Sequence, residues 1–227
     1  MQWPWIQEFG YVAKTLSTQS ITFKLSLQVF QTTYDPTGLV VAWGEGDKER
    51  IERLCGHYDD LRLRWSEKGV PHRKRYKMKR AGYRLQAKIR NIVDDIHKKM
   101  VNWLCRNYRI ILLPSFRTSQ MLWNKDGKRR LQSKTARTMA TWAHYRFKQR
   151  LLNKAREFPW CTPIICEEPY TSKTCGRCGA IHNGLGSNKV FECPQPDCDF
   201  VLDRDINGAR NILIRYLTLH CDTSNLL

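Results

Sequence analysis

The 227-residue sequence contains no apolar run long enough to cross a membrane. A membrane-spanning helix needs about 20 consecutive apolar residues, whereas the longest apolar runs here, such as Ile110–Leu113, have the length of a strand. The start of the sequence, Met1–Glu8, lacks the basic and apolar stretches of a secretory signal. We therefore expect a protein that is not secreted and works inside the cell, in the cytoplasm or the nucleus, without a membrane partner.

Acidic residues are scarce, because 21 Asp and Glu stand against 39 Lys and Arg and leave a formal net charge of +18 at pH 7. An excess of this size is typical of proteins that bind a polyanion, most simply nucleic acid. Charge alone leaves open a basic surface that only aids solubility. With 41% hydrophobic and 11% aromatic residues, the chain has enough apolar material for a core, which excludes wholesale disorder.

The nine cysteines do not form the pattern of an oxidised, secreted scaffold. Those with paired spacing in one short stretch are Cys175, Cys178, Cys193 and Cys198. Two such pairs, each on a tight turn, can place four thiolates around a tetrahedral Zn²⁺. Because four thiolates saturate the metal, the predicted zinc site is structural. Unligated thiols, two disulfides, or His182 as a competing ligand are the alternatives.

Hydrophobic periodicity predicts a layered α/β or α+β fold around a central sheet. The turn Asp35-Pro-Thr-Gly38 joins two strand-forming runs into a β-hairpin, Ile21–Tyr34 and Leu39–Trp43. The predicted helices are Asp47–Ser66, Tyr76–Tyr108, Lys134–Glu157 and Asp203–Leu219. The remaining predicted strands are Arg109–Leu113 and Cys161–Cys166, and Pro163 indicates that the second lies at a sheet edge or is irregular.

Acidic residues begin the predicted closing helix in the motif Asp203-Arg-Asp205-Ile-Asn207-Gly-Ala209. The small residues at the end of the motif allow close packing on a sheet, which would bring the first helical turn to strand ends where carboxylates can bind Mg²⁺. Acids at a helix start are also ordinary capping residues, and this alternative stays open. A further acid, solvated or functional, ends the strand before the cysteines: Glu168.

A basic stretch free of acidic residues begins the second predicted helix. Its side chains are predicted to contact the phosphate backbone of nucleic acid: Arg73, Lys74, Arg75, Lys77, Lys79, Arg80, Arg84 and Lys88. A solvated helix face and a nuclear-targeting cluster are the alternatives. Tyr76 and Tyr83 are candidates either for stacking on bases or for the core.

Together these motifs resemble a known family. They read Glu168-x-Tyr-Thr-Ser-Lys-Thr-Cys175-Gly-x-Cys178-Gly, then Cys193 and Cys198, then Asp203-Arg-Asp205-x-Asn207-x-Ala209. This order is similar to the carboxyl-terminal end of the transposon-encoded TnpB proteins and of their eukaryotic and viral relatives, the Fanzors. The similarity continues upstream in Phe30–Asp47, Ile111–Met121 and Lys134–Phe147, and so covers most of the chain.

The resemblance implies an RNA-guided DNA endonuclease, related to the type V CRISPR effectors, with DNA and guide RNA as partners. The implied fold class is α/β, an RNase H-like (RuvC-type) mixed sheet with flanking helices and an inserted zinc ribbon. The implied RuvC-like nuclease domain is 21–170 with 203–220, and the implied zinc ribbon is 171–202. The segment 1–20 is unassigned, and 221–227 form a tail.

Nucleases of this kind hold catalytic Mg²⁺ on three acids, and the metal activates water for phosphodiester cleavage. By matching positions, the resemblance implies that Asp205 is the acid from the final helix and Glu168 the glutamate. The basic helix that carries part of the resemblance adds Arg137 and Arg146 to the predicted nucleic-acid contacts.

The first acid of the family's set is missing from the expected position, where alignment on Phe30 puts Lys24. No acidic residue occurs between Glu8 and Asp35, and Asp35 belongs to the hairpin turn, at the far end of the strand. A lysine there removes a metal ligand and repels Mg²⁺. We therefore expect cleavage by this chain alone to be weak or absent.

The amino-terminal half of the family, which grips the guide RNA, also has no counterpart in the sequence. We therefore expect a truncated copy, or a chain that a separate partner completes. Three interpretations stay open: an active Mg²⁺-dependent nuclease completed by another chain, a nuclease-dead protein that binds nucleic acid as a regulator, and a remnant without selected activity.

Overall fold

The structure is a computed structural model that describes residues 20–25, 29–115, 133–166, 170–186 and 188–221. Its strands are β1 (Ser20–Leu25), β2 (Gln31–Tyr34), β3 (Val40–Trp43), β4 (Ile110–Pro114), β5 (Thr162–Cys166), β6 (Val190–Glu192) and β7 (Val201–Asp203). Its helices are α1 (Asp47–Ser66), α2 (His72–Asn107), α3 (Ser133–Trp142), α4 (His144–Ala155) and α5 (Arg204–Cys221). Within these ranges, none of the helices combines the length and the apolar character that crossing a membrane requires.

The central sheet has five strands in the order β3-β2-β1-β4-β5. Strands β1, β2 and β3 are antiparallel neighbours, whereas β1, β4 and β5 run parallel to one another. A separate two-stranded sheet, β6–β7, follows the first cysteine pair. The mixed sheet with flanking helices confirms the predicted fold class, and β5 lies at the predicted edge.

The amino-terminal hairpin was predicted wrongly in one respect, because the run Ile21–Tyr34 forms two strands. Leu25 pairs with Gln31, so the chain reverses between β1 and β2 and makes a three-stranded meander with β3. No Gly, Pro, Asn or Asp marks this reversal in the sequence. Strand-forming composition therefore predicted extended chain there and gave no sign of the turn.

Side-chain alternation along β1 separates the two faces of the sheet. Ile21 and Phe23 are buried in the main apolar core with residues of α2 and α4. Thr22 faces the other way, since its hydroxyl donates a hydrogen bond of 2.9 Å to the carbonyl of Ala209 in α5. The closing helix therefore covers the face of the sheet towards which Lys24 also points.

The single helix predicted over Lys134–Glu157 is two helices, broken at Ala143. This residue has φ 48° and ψ 51°, the left-handed conformation that residues other than glycine rarely adopt. Trp142 and Phe147 on its two sides are both buried, at 2% and 0% exposure. In a continuous helix, residues five apart point about 140° away from each other, so the break lets both aromatic rings reach the core.

Helices α1 and α2 form a hairpin that meets closely at Gly82. A Cβ on Gly82 would lie only 2.7 Å from Cζ3 of Trp65 and 3.4 Å from Cε2 of Tyr58. The buried apolar residues of α2 begin at Ile92. Its first half therefore packs mainly on α1 and presents most of its surface to solvent.

Candidate functional site

The carboxylates at the start of α5 have different roles. The Asp203 carboxylate accepts hydrogen bonds from the backbone N–H groups of Asp205, at 2.8 Å, and Ile206, at 3.1 Å. This is the geometry of a helix N-cap, so the capping interpretation holds for Asp203. The half-buried side chain of Asp205 is not the cap, and it lies in the first turn of the helix.

Lys24 lies against this same part of α5. A Cβ on Gly208 would lie 3.0 Å from Cδ and 3.1 Å from Cε of Lys24, so the lysine stem packs closely against this glycine. Gly208 follows Asp205 by three residues, which places both on neighbouring positions of one helix face. The structure therefore brings a lysine side chain to the acidic end of the closing helix, where it packs against Gly208.

The other acidic residues considered in the sequence analysis are Glu168 and Asp35. Glu168 lies outside the described residues, so its approach to Asp205 stays a prediction. Asp35 belongs to the turn between β2 and β3, and its carboxylate accepts hydrogen bonds from the backbone N–H groups of Thr37 and Leu39 at 2.8 and 3.1 Å. Its second oxygen accepts a bond of 2.9 Å from the Tyr108 hydroxyl. Asp35 therefore organises the hairpin turn.

The predicted cysteine site converges in space. The Sγ atoms of Cys175, Cys178, Cys193 and Cys198 all lie within 4.8 Å of one another. Separations of 3.9 Å between Cys175 and Cys198 and of 3.5 Å between Cys178 and Cys193 are far too long for disulfides. Four sulfurs about 2.3 Å from a zinc ion would be about 3.8 Å apart at the edges of a tetrahedron, so this donor set fits a tetrahedral metal.

Buried and half-buried polar side chains attach α5 to the turn that carries the first cysteine pair. The amide of Asn207 accepts a hydrogen bond from the Gly176 N–H at 3.2 Å and donates one to the Thr174 carbonyl at 2.8 Å. Asn211 donates to the Thr174 carbonyl at 2.7 Å, and Arg210 donates to the Gly176 carbonyl at 2.8 Å. The cysteine cluster is therefore tied directly to the helix that carries the acidic motif.

Sequence reasoning did not find these attachments. The available signal was the pair of asparagines four residues apart, Asn207 and Asn211, which share one face of a helix. Asparagine is an unfavourable residue inside a helix, so two on one buried face indicate hydrogen-bond partners outside the helix.

The basic residues predicted for nucleic-acid contact fall into two groups. Most of those in the first half of α2 are exposed, with Arg75 half-buried, and no acidic residue occurs in 72–93. Tyr76 and Tyr83 in this stretch are 60% and 69% exposed, which excludes the core for both. In contrast, Arg137 pairs with Asp59, and Arg146 pairs with Asp94 at 3.1 Å, so both tie α3 and α4 to the α1–α2 hairpin.

Two buried histidines belong to the packing between α2 and α4. His97 bonds through Nε2 to the Trp142 carbonyl at 3.0 Å, and its Nδ1 accepts from Arg150 at 3.3 Å. Burial, followed by the Arg150 charge, lowers the pKa of His97 to about 4, and burial lowers the pKa of His144 to about 3. The His144 ring stacks on Phe30 with centroids 5.1 Å apart. Both imidazoles are therefore neutral structural groups at pH 7.

Comparison with known proteins shows which proteins the chain is similar to. The profile of the Cas12f1-like TNB domain matches residues 144–212, which include the cysteine cluster and Asp205. A TnpB-like protein of Acanthamoeba polyphaga mimivirus is 30% identical over 142 residues, or 62% of this chain and 26% of that protein. The chain is a relative of the TnpB-like proteins. A candidate transposase of Paramecium bursaria Chlorella virus 1 is 37% identical to this TnpB relative over 145 residues, or 63% of this chain and 31% of that protein.

This TnpB relative thus spans about a third or less of the length of these curated relatives. Among solved structures, Cas12f1 superposes with a TM-score of 0.58 at 14% identity over 86% of this chain and 50% of that one. The mini-RNA-guided endonuclease CRISPR-Cas phi3 superposes with a TM-score of 0.54 at 10% identity over 89% of this chain and 46% of that one. At these identities the likeness establishes the fold alone.

Proposed function

We propose that this TnpB relative binds nucleic acid through the first half of α2 and that its own cleavage activity is weak or lost. The exposed, acid-free surface of 72–93 carries the proposal of binding. From Arg73 to Lys88 the helix rises about 22 Å, and cations along such a length can follow several consecutive phosphates. The exposed rings of Tyr76 and Tyr83 add surfaces on which bases can stack.

The position of these cations also argues for an external anion. The first turn of α2 contains no acidic residue, although the positive end of the helix dipole favours acids there. A run of arginines and lysines at that end costs stability in the isolated protein, and a bound polyanion would remove the cost. Arg137 and Arg146 stay part of the predicted contact surface, but their ion pairs make them the weaker members of it.

DNA and guide RNA are the partners that we propose. The structural neighbour Cas12f1 is described as a complex with single guide RNA and target DNA. A candidate RNA-guided DNA endonuclease of Streptomyces pristinaespiralis is 30% identical over 147 residues, or 64% of this chain and 33% of that protein. These likenesses and the basic surface of α2 support the same class of partner.

The proposal of weak cleavage rests on Lys24. We propose that Asp205 and Glu168 are the surviving acids of the nuclease site and that Lys24 stands where a third carboxylate would be. The proposal is supported by the packing of the Lys24 stem against Gly208, three residues after Asp205, which would put a positive charge near the proposed Mg²⁺ site. A lysine cannot coordinate the metal while it is protonated, and its charge opposes metal binding.

We propose further that the four cysteines bind a structural Zn²⁺. The sulfur separations support this ion, and the zinc ribbon at 171–202 would then sit within a RuvC-like domain of 21–170 and 203–220. Through Asn207, Arg210 and Asn211, the zinc-bound turn holds the closing helix. The metal would therefore supply folding energy and no chemistry.

A second candidate function is Mg²⁺-dependent, RNA-guided DNA cleavage in which another chain supplies the first acid. The name of the Streptomyces pristinaespiralis relative favours it, and so does the place of Asp205, in the first turn of α5 and not at the cap. Addition of guide RNA and a partner chain to the purified protein distinguishes the two candidates, because only the second predicts cleavage that depends on Asp205.

The binding proposal is tested by fluorescence anisotropy of labelled single-stranded DNA and RNA at several salt concentrations. Lys77→Gln/Arg84→Gln removes two exposed cations from the acid-free half of α2, and Lys98→Gln/Arg106→Gln removes two exposed cations from its second half. Since each lost phosphate contact on single strands lowers the slope of log K against log salt by about 0.7, we expect a fall of about 1.4 for the first variant only. Equal slopes for both variants would contradict the proposal.

A further inference from the structure

A cleft lies where α1, α2 and the α3–α4 pair meet. Its volume of about 620 Å³ is within the range of about 300–1,000 Å³ that is usual for ligand sites. Side chains from all of these helices line it, among them Tyr58, Arg90 and Tyr145. None of the described residues that line it belongs to the acidic motif or the cysteine cluster, so it is a separate site.

The break between α3 and α4 lies in the wall of this cleft. Ala140 from α3 and Ala143, the residue with φ 48°, both line it. Their side chains are single methyl groups, so they occupy little of the space that the break leaves beside α1 and α2. Ala140 is exposed, which means that a larger side chain at this position would fill the cleft without entering the core.

The charged side chains that line the cleft are positive. They are Arg90, Arg137 and Arg146, and none of the described residues of the lining is acidic. Two of the three have ion pairs outside the lining, Arg137 with Asp59 and Arg146 with Asp94 at 3.1 Å.

These ion pairs leave an excess of positive charge at the cleft. The Asp94 oxygen that pairs with Arg146 also pairs with Arg150 at 2.9 Å, so two guanidiniums share one carboxylate. Arg90 is exposed and has no ion pair among the described contacts. An anionic ligand would supply the missing negative charge, and guanidinium groups are well suited to phosphate because they donate two parallel hydrogen bonds.

The other side chains of the cleft suit a flat, largely apolar group. Tyr58 from α1, Ile89 from α2 and Tyr145 from α4 all line it. The Tyr58 ring packs edge-on against Trp65 with centroids 5.8 Å apart, whereas the side chain of Tyr145 is 72% exposed. Nucleic-acid bases stack on such rings. A ligand that combines a base with a phosphate therefore matches both parts of the lining.

We propose that this cleft binds a nucleoside phosphate, with the base against Tyr58, Ile89 and Tyr145 and the phosphate on Arg90. The inference goes beyond the proposed function, because a free mononucleotide can occupy the cleft whether or not α2 binds a strand. One nucleotide of a bound strand has the same chemistry. Since Ile89 and Arg90 belong to the acid-free segment 72–93, a strand on α2 can also reach the cleft, and the test distinguishes the two sources.

The test titrates the full, metal-loaded chain with adenosine 5′-monophosphate, adenosine and inorganic phosphate, followed by NMR. Arg90→Gln removes the unpaired cation, and Ala140→Trp fills the cleft. We expect the mononucleotide to bind more tightly than adenosine or phosphate. Arg90→Gln should weaken its binding by about 10-fold, the value for one hydrogen bond to a charged group, and Ala140→Trp should weaken it by at least as much.

Two matched variants control for charge and for the added ring. Arg106→Gln removes an exposed cation of α2, and Asn153→Trp adds the same ring at an exposed position of α4, both outside the cleft lining. Both should bind the mononucleotide like the wild type. All four variants should keep the wild-type melting temperature. If Ala140→Trp does not fold, the comparison of Arg90→Gln with Arg106→Gln decides the outcome.

Competition with a single-stranded oligonucleotide identifies the source of the nucleotide. If the cleft takes a nucleotide of a bound strand, the oligonucleotide displaces the mononucleotide and binds Ala140→Trp more weakly than the wild type. If the cleft takes a free mononucleotide, the oligonucleotide binds both proteins equally and displaces nothing. Either result supports the proposed site.

The outcomes that contradict the inference are distinct from failure of the proposed function. A wild type that binds the mononucleotide no better than inorganic phosphate overturns the inference, and so does equal binding by the wild type and Arg90→Gln. A loss in Arg106→Gln as large as in Arg90→Gln also overturns it, because general charge would then explain the binding. A wild type that binds the mononucleotide but no oligonucleotide overturns the proposed function alone.

Discussion

The attachment of the closing helix to the cysteine turn depends most on Asn207, which is fully buried. Asn207→Ala removes a hydrogen bond from the Gly176 N–H and one to the Thr174 carbonyl. Thr174 keeps its bond from Asn211 at 2.7 Å, whereas the described contacts give the Gly176 N–H no second acceptor. The substitution therefore leaves one buried donor unpaired and a small cavity where the amide was.

The size of the effect follows from these two losses. An unpaired buried donor costs about 1–3 kcal/mol, and the cavity adds about 1 kcal/mol, so we expect destabilisation by about 2–4 kcal/mol. For a chain of this length each kcal/mol lowers the melting temperature by about 2–4 °C. The expected fall is therefore about 4–16 °C in the metal-loaded protein.

Differential scanning calorimetry measures this fall. Asn153→Ala is the matched control, because Asn153 is exposed on α4, and substitutions of that kind change stability by about 0.5 kcal/mol or less. Release of zinc to a colorimetric chelator should also be faster in Asn207→Ala, since Gly176 lies between two ligands of the proposed site. If Asn207→Ala melts like the control and releases metal at the wild-type rate, the helix does not depend on these bonds.

Three further predictions concern packing, pH and metal. Gly82→Ala should destabilise the folded protein by about 0.5–2 kcal/mol in urea unfolding, because the overpacking against Trp65 exceeds the gain in helix propensity. In a Trp65→Ala background the same substitution should stabilise the protein, and destabilisation there would contradict the close approach of Gly82 to Trp65. Folding lowers the pKa of His97 to about 4 and that of His144 to about 3, whereas a histidine in the unfolded chain has a pKa of about 6.5. Below about pH 6.5 the unfolded chain therefore binds more protons at these two residues than the folded protein does. Stability should therefore fall as the pH falls from 7 to 4, and unfolding curves without this slope would contradict the neutral histidines. Removal of zinc by a chelator should lower the melting temperature and raise the rate of amide hydrogen exchange in α5. An unaltered exchange rate would contradict the claim that the metal stabilises this helix.

Local patterns in the sequence predicted much of the fold. The predicted bounds of α1 and α2 agree with the structure to within a few residues, and in α2 the apolar residues that recur every three or four positions are buried from Ile92 onwards. The paired spacing of the cysteines predicted their convergence, since tight turns fix the sulfurs of each pair near each other. Pro163 predicted an edge strand because proline has no N–H to donate within a sheet.

Features that depend on partners distant in sequence could not be predicted. The reversal between Leu25 and Gln31 has no Gly, Pro, Asn or Asp. The break at Ala143 follows from the need to bury Trp142 and Phe147 together. Asn207 finds its partners in a turn more than thirty residues away. The sequence suggested a lysine near the acidic motif, but only the structure shows that its side chain packs against Gly208.

Cleavage of labelled single-stranded DNA in Mn²⁺ by the wild type, Asp205→Ala, Lys24→Asp and Lys24→Asp/Asp205→Ala tests the central claim most directly. The account predicts that the wild type cuts no faster than Asp205→Ala, that Lys24→Asp gains activity by supplying the third carboxylate, and that the double variant loses this gain. Cleavage by the wild type that disappears in Asp205→Ala would contradict the claim that Lys24 disables the site.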